Sequence, residues 1–172
     1  IGGIEPYLIG MSTVIQQDFD CKIIDDLRNF LFGAPGAGGM DLAVINIERG
    51  RERGLPDYNT VRNDFGLERL TDFNQMSSDL IMNQTLKFVY SDVNKIDPWV
   101  GMLAENHMHN ALFGETAMTI VKQQFISLRD GERYYYLNDD AVSPLDKVLA
   151  KTTRRADVIR RNAPVTIIKD NI

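Results

Sequence analysis

The chain has 172 residues, of which 44% are hydrophobic and 25% are charged, as expected for a globular domain with one substantial core. Its formal net charge of −5 at pH 7 argues against a nucleic-acid partner, because binding to phosphates requires a basic face. No apolar run approaches the roughly 20 residues of a membrane-spanning helix, so no membrane span is expected. The single cysteine, Cys21, cannot form an internal disulfide, so secretion has no support from disulfides.

Two helices and a glycine-rich loop are predicted in the first third of the chain. Residues 24–32 place three aliphatic side chains at spacings of three and four, which predicts a short amphipathic helix with a buried face. That face consists of Ile24, Leu27 and Leu31. Residues 32–39 contain four glycines and one proline and are predicted to be a loop. Residues 40–51 are apolar almost all round up to Ile47, which predicts a helix that is buried on most sides.

Further helices are predicted in the rest of the chain. A turn is predicted over residues 54–59, where a glycine and a proline break the preceding helix. Thr71 is the predicted N-cap of the next long helix, and Asp130 with Gly131 is predicted to end the helix after that. The predicted helices are 61–65, 71–88, 111–128 and 144–161. Because few convincing strands and no repeats are visible, the predicted fold class is mainly α.

Four sequence strings occur in one order along the chain. Residues 41–59 read DLAVINIERGRERGLPDYN, and residues 97–105 read DPWVGMLAE. Residues 124–135 read QFISLRDGERYY, and residues 158–162 read VIRRN. The first string is similar to the pattern D-L-x-x-x-N-x-x-R-[GS]-R-D-H-G-L-P-x-Y-N of the animal haem peroxidase superfamily. The other three resemble the D-x-W-x-G-x-x-x-E, Q-F-x-x-L-R-D-G-D-R-[FY]-[WY] and I-x-x-N segments of the same superfamily.

The resemblance covers nearly the whole chain and implies a particular fold and cofactor. Residues 1–172 are expected to be the C-terminal portion of a single haem peroxidase catalytic domain, with the all-helical fold of that family. The implied cofactor is haem, held between a proximal histidine on the iron and a distal histidine and arginine that cleave peroxide. These are expectations from the resemblance, and no helical period or spacing establishes them.

Asn46 is the first candidate site residue. In the family, the asparagine at its place accepts a hydrogen bond from the far ring nitrogen of the proximal histidine. Such a partner fixes the tautomer and the orientation of the ligand and tunes its basicity, and therefore the potential of the iron. Asn46 lies in an apolar run, where a buried amide needs partners. Without the family, Asn46 would be read as a residue that caps or crosslinks helices.

Arg49, Leu42 and Ile45 are the other candidates, as cofactor-binding residues. Arg49 lies one turn beyond Asn46, on the same helix face, and its guanidinium could form a bidentate pair with a carboxylate. The resemblance gives that carboxylate as a haem propionate, and it gives Leu42 and Ile45 as lining of the haem pocket. Alternatively, Arg49 pairs with Glu48, Glu52 or a distant acid, and the two aliphatic residues belong to an ordinary core.

The chain departs from the family pattern where Glu52 and Arg53 stand in place of Asp-His. Only a structural consequence is expected, in which Arg51 and Arg53 form ion pairs that hold the following proline turn.

The only two histidines, His107 and His109, are predicted to be surface residues of a loop. No metal site is predicted from them, because the full ligand set of a closed site is not visible.

Both haem histidines, the catalytic arginine and the calcium loop precede this region in the family. Peroxide cleavage needs a base for the proton and a cation for the departing oxygen, so the chain alone is predicted to be inactive. The missing residues are expected on a second chain or in a longer protein, together with any calcium site. The sequence starts at Ile1 without a signal-like segment, so this start is expected to be a processed or an artificially chosen end.

The predicted function is that of a haem peroxidase, which uses hydrogen peroxide to oxidise a halide or a small organic electron donor. The resemblance also implies an extracellular location and a role in the response to oxidative stress. A non-enzymatic adhesion or matrix module on the same fold is a first alternative. A fatty-acid dioxygenase relative is a second, although the RGR-x-x-GLP string fits the peroxidase branch better.

Overall fold

The computed structural model describes residues 3–30, 33, 41–165 and 167–171. Within these residues the regular structure is helical, and no strand is present apart from an isolated antiparallel bridge between His107 and Gly114. The predicted class, mainly α, is confirmed. None of the helices in the described ranges is long and apolar enough to cross a membrane.

The helices follow one another through short connections. The α-helices are α1 (Glu5–Thr13), α2 (Leu42–Glu52), α3 (Tyr58–Asp64), α4 (Leu80–Tyr90), α5 (Pro98–Ala104), α6 (Glu115–Gly131), α7 (Pro144–Thr152) and α8 (Arg155–Asn162). Shorter elements are a π-helix at Asp26–Phe30 and 3-10 helices at Phe73–Gln75 and Val93–Lys95. The break predicted over residues 54–59 separates α2 from α3, with Gly54 at a φ of +71°, a conformation that favours glycine.

The chain divides into two units, each with a core of its own. The central unit comprises Asp18–Phe125, and the terminal unit comprises Ile1–Gln17 with Ile126–Ile172. Buried core residues of the central unit are Tyr58, Phe73, Met76, Leu86, Val93, Ile96 and Ala104. Those of the terminal unit are Ala156, Val165 and Ile168. That residues 1–172 belong to one catalytic domain stays a prediction.

Short polar side chains determine where several helices begin. The carboxylates of Asp41, Asp57 and Asp79 accept backbone N–H bonds from the first turns of α2, α3 and α4. The hydroxyl of Ser143 does the same for α7. Such caps satisfy N–H groups that have no partner inside the helix.

The predicted amphipathic helix at residues 24–32 is wrong in its geometry and in its burial. Asp26–Phe30 is a π-helix, whose wider turn does not keep residues three and four apart on one face. Ile24 is 59% exposed, while Leu27 is half-buried. Leu31 and the predicted glycine loop, apart from Gly33, lie outside the described residues.

The prediction that residues 40–51 form a helix is confirmed as α2, but its burial on most sides is not. No residue of α2 is buried, and Val44 is 46% exposed. The physical reason is that α5 is the main helix that packs along α2 within the described residues.

The predicted helix from Thr71 to residue 88 is two elements. Asp72 caps the 3-10 helix at Phe73–Gln75, and the side chain of Gln75 returns to the backbone N–H of Thr71 and Asp72. A new helix, α4, then starts at the carboxylate of Asp79. Thr71 is therefore not the N-cap of the long helix, because aspartates further along the chain supply both caps.

The last two predicted helices also have different bounds. Helix α6 starts at Glu115, because residues 107–114 form a loop closed by a backbone bridge, and it continues through Asp130 and Gly131. The predicted helix 144–161 is split into α7 and α8. The split occurs at Arg154, whose extended backbone donates to the carboxylate of Asp157 and starts a second helix.

Helices α3 and α5 pack closely at Gly101. Tyr58 is 1% exposed, and its ring lies where a Cβ atom on residue 101 would stand. A glycine is therefore needed at this position, because any larger residue would overlap the Cγ and Cδ2 atoms of the ring.

Substitution Gly101→Ala is expected to lower the free energy of unfolding by about 2–3 kcal/mol, the upper range for an overpacked core. Gly50→Ala is the matched control, because its Cβ would contact Leu55 Cδ1 at 3.6 Å, an ordinary van der Waals distance. In α2, that change should leave stability unchanged or raise it slightly. Urea denaturation followed by circular dichroism measures both, and equal effects would show that the Tyr58 contact is not restrictive.

Candidate functional site

A cleft of about 370 Å³ lies in the central unit. One wall comes from α2 and the opposite wall from α5, with the segment before the π-helix at one side. The residues that matter here are Cys21, Leu42, Ala43, Asn46, Trp99 and Leu103. Most of these side chains are apolar, so a polar atom placed among them would interact strongly with a ligand group.

A second cleft, of about 400 Å³, lies along the same pair of helices. It is lined mainly by Ile47, Leu55, Pro98, Trp99 and Met102, with Asn46, Arg49 and Arg53 among its polar residues. Asn46 and Trp99 line both clefts. These two residues therefore form the boundary between the clefts.

Asn46 is half-buried, and in the part of the chain that the structure describes only the nitrogen of its side-chain amide makes a hydrogen bond. Its Nδ2 atom donates to the carbonyl oxygen of Leu42, one turn earlier, at 3.0 Å. Within the described residues, no donor lies at hydrogen-bonding distance from its Oδ1 atom. The hydrogen bond to Leu42 determines which end of the amide is the nitrogen. The oxygen is therefore left as an acceptor at the boundary of the clefts.

The other predicted site residues are placed differently from one another. Arg49 is exposed, lines the second cleft, and has no salt bridge with a carboxylate in the described part of the chain. Leu42 lines the first cleft and is 38% exposed. Ile45 is half-buried and, in that part of the chain, lines neither cleft. Asn46, Arg49 and Leu42 are thus brought to the clefts, whereas Ile45 is not.

Helices α2 and α5 are joined by a bidentate ion pair. Arg51 Nε donates to Asp97 Oδ1 at 2.9 Å, and Arg51 Nη2 donates to Asp97 Oδ2 at 2.7 Å. The hydroxyl of Tyr90, the last residue of α4, donates to Asp97 Oδ2 at 2.8 Å. Arg51 therefore pairs with the first residue of the string at 97–105 and not with a residue of the proline turn. Arg53 has no salt bridge within the described ranges. The prediction that both hold the turn is wrong.

These contacts shift the pKa values of Asp97 and of Tyr90. The hydrogen bonds from Arg51 hold the pKa of Asp97 below its usual range, because they favour the ionised form. Burial, followed by the hydrogen bond to Asp97, raises the pKa of Tyr90 to about 12. At neutral pH, Asp97 is therefore a carboxylate and Tyr90 is a hydrogen-bond donor.

A separate polar cluster fixes the other end of α5. The carboxylate of Glu105 accepts from the hydroxyl of Tyr58 at 2.8 Å and from the backbone N–H groups of Thr116 and Ala117 at 3.1 and 2.9 Å. Arg62 donates to the hydroxyl of Thr116 at 2.8 Å and lies 3.7 Å from Glu105 Oε2. Glu105 is 8% exposed, so its charge is compensated by a helix N-terminus and a buried guanidinium.

The two histidines are surface residues of a loop, as predicted. His107 and His109 are exposed residues of the loop between α5 and α6. His107 Nε2 lies 2.8 Å from the carbonyl oxygen of Phe19.

Sequence reasoning missed several cleft residues. Trp99 could have been found from the string at residues 97–105, because its family motif contains that tryptophan. Cys21 belongs to none of the four strings, and its place in the cleft depends on how the chain folds back from residue 18. Burial raises the pKa of the Cys21 thiol to about 11, so it is a protonated, weakly reactive wall residue.

Comparison with known proteins identifies the family. The sequence model of the animal haem peroxidase family matches residues 1–172, and the chain therefore belongs to the animal haem peroxidase family. It is 38% identical to Peroxinectin A of Dictyostelium discoideum over 159 residues, which cover 92% of this chain and 30% of that protein. The expected family resemblance is confirmed.

Solved structures agree with the helical fold. Peroxidase A from Dictyostelium discoideum is similar with a TM-score of 0.85 and 36% identity, over 98% of this chain and 33% of that chain. A fatty acid alpha-dioxygenase from Oryza sativa is similar with a TM-score of 0.64 and 29% identity, over 73% of this chain and 21% of that chain. The chain thus spans about a third of the length of the two Dictyostelium proteins, 30% of Peroxinectin A and 33% of Peroxidase A.

The Arg51–Asp97 pair should give stability a measurable pH dependence. Because the pKa of Asp97 is lower in the folded protein than the usual value of about 3.9, its contribution is complete above pH 5 and is lost as the pH falls through the folded pKa. Asp97→Asn should lower the urea midpoint at pH 7 by about a few tenths of a molar. The difference between variant and parent should therefore shrink as the pH falls from 5 toward 2.5.

The matched control for this experiment is Asp64→Asn. Asp64 is exposed at the end of α3 and has no salt bridge within the described residues. A difference from the parent that stays constant between pH 7 and pH 2.5 for Asp97→Asn would contradict the assignment.

Proposed function

We propose that this chain forms one wall of the haem pocket of an animal haem peroxidase, which uses hydrogen peroxide to oxidise a halide or a small organic donor. The observation that carries the proposal is the acceptor oxygen of Asn46 at the boundary of two apolar clefts. It occurs within the string that best matches the family. The activity and the substrates belong to the whole protein, of which residues 1–172 supply this part.

The chemistry of Asn46 fits the proposed partner. Its Nδ2 donates to the Leu42 carbonyl, so the atom left for a ligand is an acceptor. A histidine bound to iron through one ring nitrogen has an N–H on the other, and it requires such an acceptor. When bound, haem supplies the iron that takes the histidine ligand and reacts with peroxide. Asn46 would hold the ring in one tautomer and orientation.

We propose Arg49, Leu42 and Ile45 as cofactor-binding residues. Arg49 has no carboxylate partner within the described residues and lines the second cleft beside Asn46, which suits a guanidinium that pairs with a haem propionate. Leu42 supplies apolar wall to the first cleft. The proposed role of Ile45 has the least structural support of the three, because this residue lines neither cleft in the described part of the chain.

The groups that cleave peroxide are proposed to lie outside these residues. Both histidines of this chain are exposed in one loop, and neither lines a cleft that Asn46 lines. The proximal and distal histidines, the catalytic arginine and any calcium site would come from a longer protein or from a second chain. An extracellular location and a role in oxidative stress also stay predictions.

The alternative function of a fatty-acid dioxygenase is supported by one observation, the structural similarity to the rice enzyme. It is ranked second because that similarity covers 73% of this chain, against 98% for the Dictyostelium peroxidase. An adhesion or matrix role is a further alternative, and it would not require a redox centre.

The first test is a comparison of the whole protein with residues 1–172 produced alone. The whole protein should show a haem Soret band and oxidise guaiacol or bromide with hydrogen peroxide, while residues 1–172 should do neither. Haem with oxygen uptake on a fatty acid, but no peroxide-dependent oxidation, would favour the dioxygenase. Absence of haem in the whole protein would favour the adhesion module.

Asn46→Ala in the haem-loaded protein should keep the Soret band but change the iron centre. Loss of the acceptor weakens the basicity of the proximal ligand, so the iron–histidine stretching band should move to lower frequency and the midpoint potential should rise. Asn63→Ala is the control, because Asn63 is exposed on α3. An unchanged band and potential in Asn46→Ala would exclude the proposed role.

A further inference from the structure

We propose that Arg51 and Asp97 are positioning residues for the iron centre, which act through Asn46. Their ion pair holds α2 at a fixed place on α5, so that the Asn46 acceptor stays aimed at its partner. The inference rests on the proposed function, because it requires that Asn46 bind the proximal histidine.

The geometry of Asp97 is unusual for the residue before a helix. Asp97 is the N-cap residue of α5, yet its side chain makes no capping hydrogen bond to that helix. Both oxygens are used elsewhere: Oδ1 accepts from Arg51, and Oδ2 accepts from Arg51 and from Tyr90. The carboxylate therefore joins α2, α4 and α5 at one point, and only 11% of its side chain is exposed.

Helix α2 has few other polar attachments. The Asp41 cap and the bond from Asn46 to Leu42 both lie within or at the start of α2. Among the described residues, Arg51 makes the only side-chain hydrogen bonds that leave this helix. No residue of α2 is buried, so apolar packing alone constrains its position weakly.

The connection from the ion pair to Asn46 is short. Arg51 lies five residues after Asn46 on α2, and Trp99, in α5, lies two residues after Asp97. Asn46 and Trp99 together form the boundary of the two clefts. A shift of α2 along α5 would move the Asn46 oxygen relative to Trp99 and to its proposed partner, and hydrogen bonds weaken steeply with changes in distance and angle.

The competing explanation is an ordinary surface ion pair. Arg51 has 64% of its side chain exposed, and exposed pairs contribute little to stability. A merely stabilising pair would change the unfolding midpoint and leave the iron centre unchanged. The spectroscopic signature of the iron therefore separates the two explanations.

The experiment uses the haem-loaded whole protein and two readouts, the iron–histidine stretching band of the ferrous form and the midpoint potential. Arg51→Ala and Asp97→Asn should shift both in the direction of Asn46→Ala, by a smaller amount. Arg51→Lys keeps the charge but not the bidentate geometry, and should shift them less than Arg51→Ala. Adding Arg51→Ala to Asn46→Ala should cause no further shift, because the pair acts through Asn46.

Val165→Ala is the stability control, since it removes apolar volume from the core of the terminal unit and should leave both readouts unchanged. If Arg51→Ala does not fold, Arg51→Lys and Tyr90→Phe carry the test. Unchanged readouts in all ion-pair variants, beside a clear shift in Asn46→Ala, would overturn the positioning role alone. An additive shift in the double variant would also overturn the positioning role. The absence of a shift in Asn46→Ala would instead contradict the proposed function of Asn46.

Discussion

The buried carboxylate of Glu105 is the constraint on which the central unit depends. A charge that is 8% exposed must have partners, because an unpaired charge in a core costs several kcal/mol. Its partners are the hydroxyl of Tyr58 and two N–H groups at the start of α6, with Arg62 nearby. These partners come from α3 and α6, so one carboxylate fixes the end of α5 relative to both helices.

Beside the clefts, a different kind of interaction holds the helices of the central unit together. There, α2 packs on α5 with no buried residue of its own, and its polar attachment is the pair of Arg51 with Asp97. The two ends of α5 thus have different roles. The Glu105 end is held by a compensated buried charge, and the Asp97 end is held by a partly exposed ion pair beside the candidate site.

Sequence reasoning predicted the class, the family and the helix that carries Asn46, because these depend on local patterns and on one long string. It failed where the outcome depended on competition between neighbouring groups. Asp72 and Asp79 replaced Thr71 as caps, and Asp157 started a helix inside a run of good helix formers. Burial of α2 was predicted wrongly. An apolar run shows which residues are suited to a core, but it does not show which other elements pack against them. Cys21 could not be placed, since only the folded chain brings it beside α2.

The exposure of α2 has a consequence for the order of assembly. Helix α2 exposes the apolar side chains of Leu42 and Val44, and exposed apolar surface promotes association until another part of the protein covers it. The helices around Glu105 contain a core of their own, whereas α2 has no buried residue, so on the proposed function we expect α2 to gain its cover after that core has formed. Cofactor insertion would then be a late maturation step, and a nascent protein stalled before it would present a hydrophobic surface to chaperones and proteases.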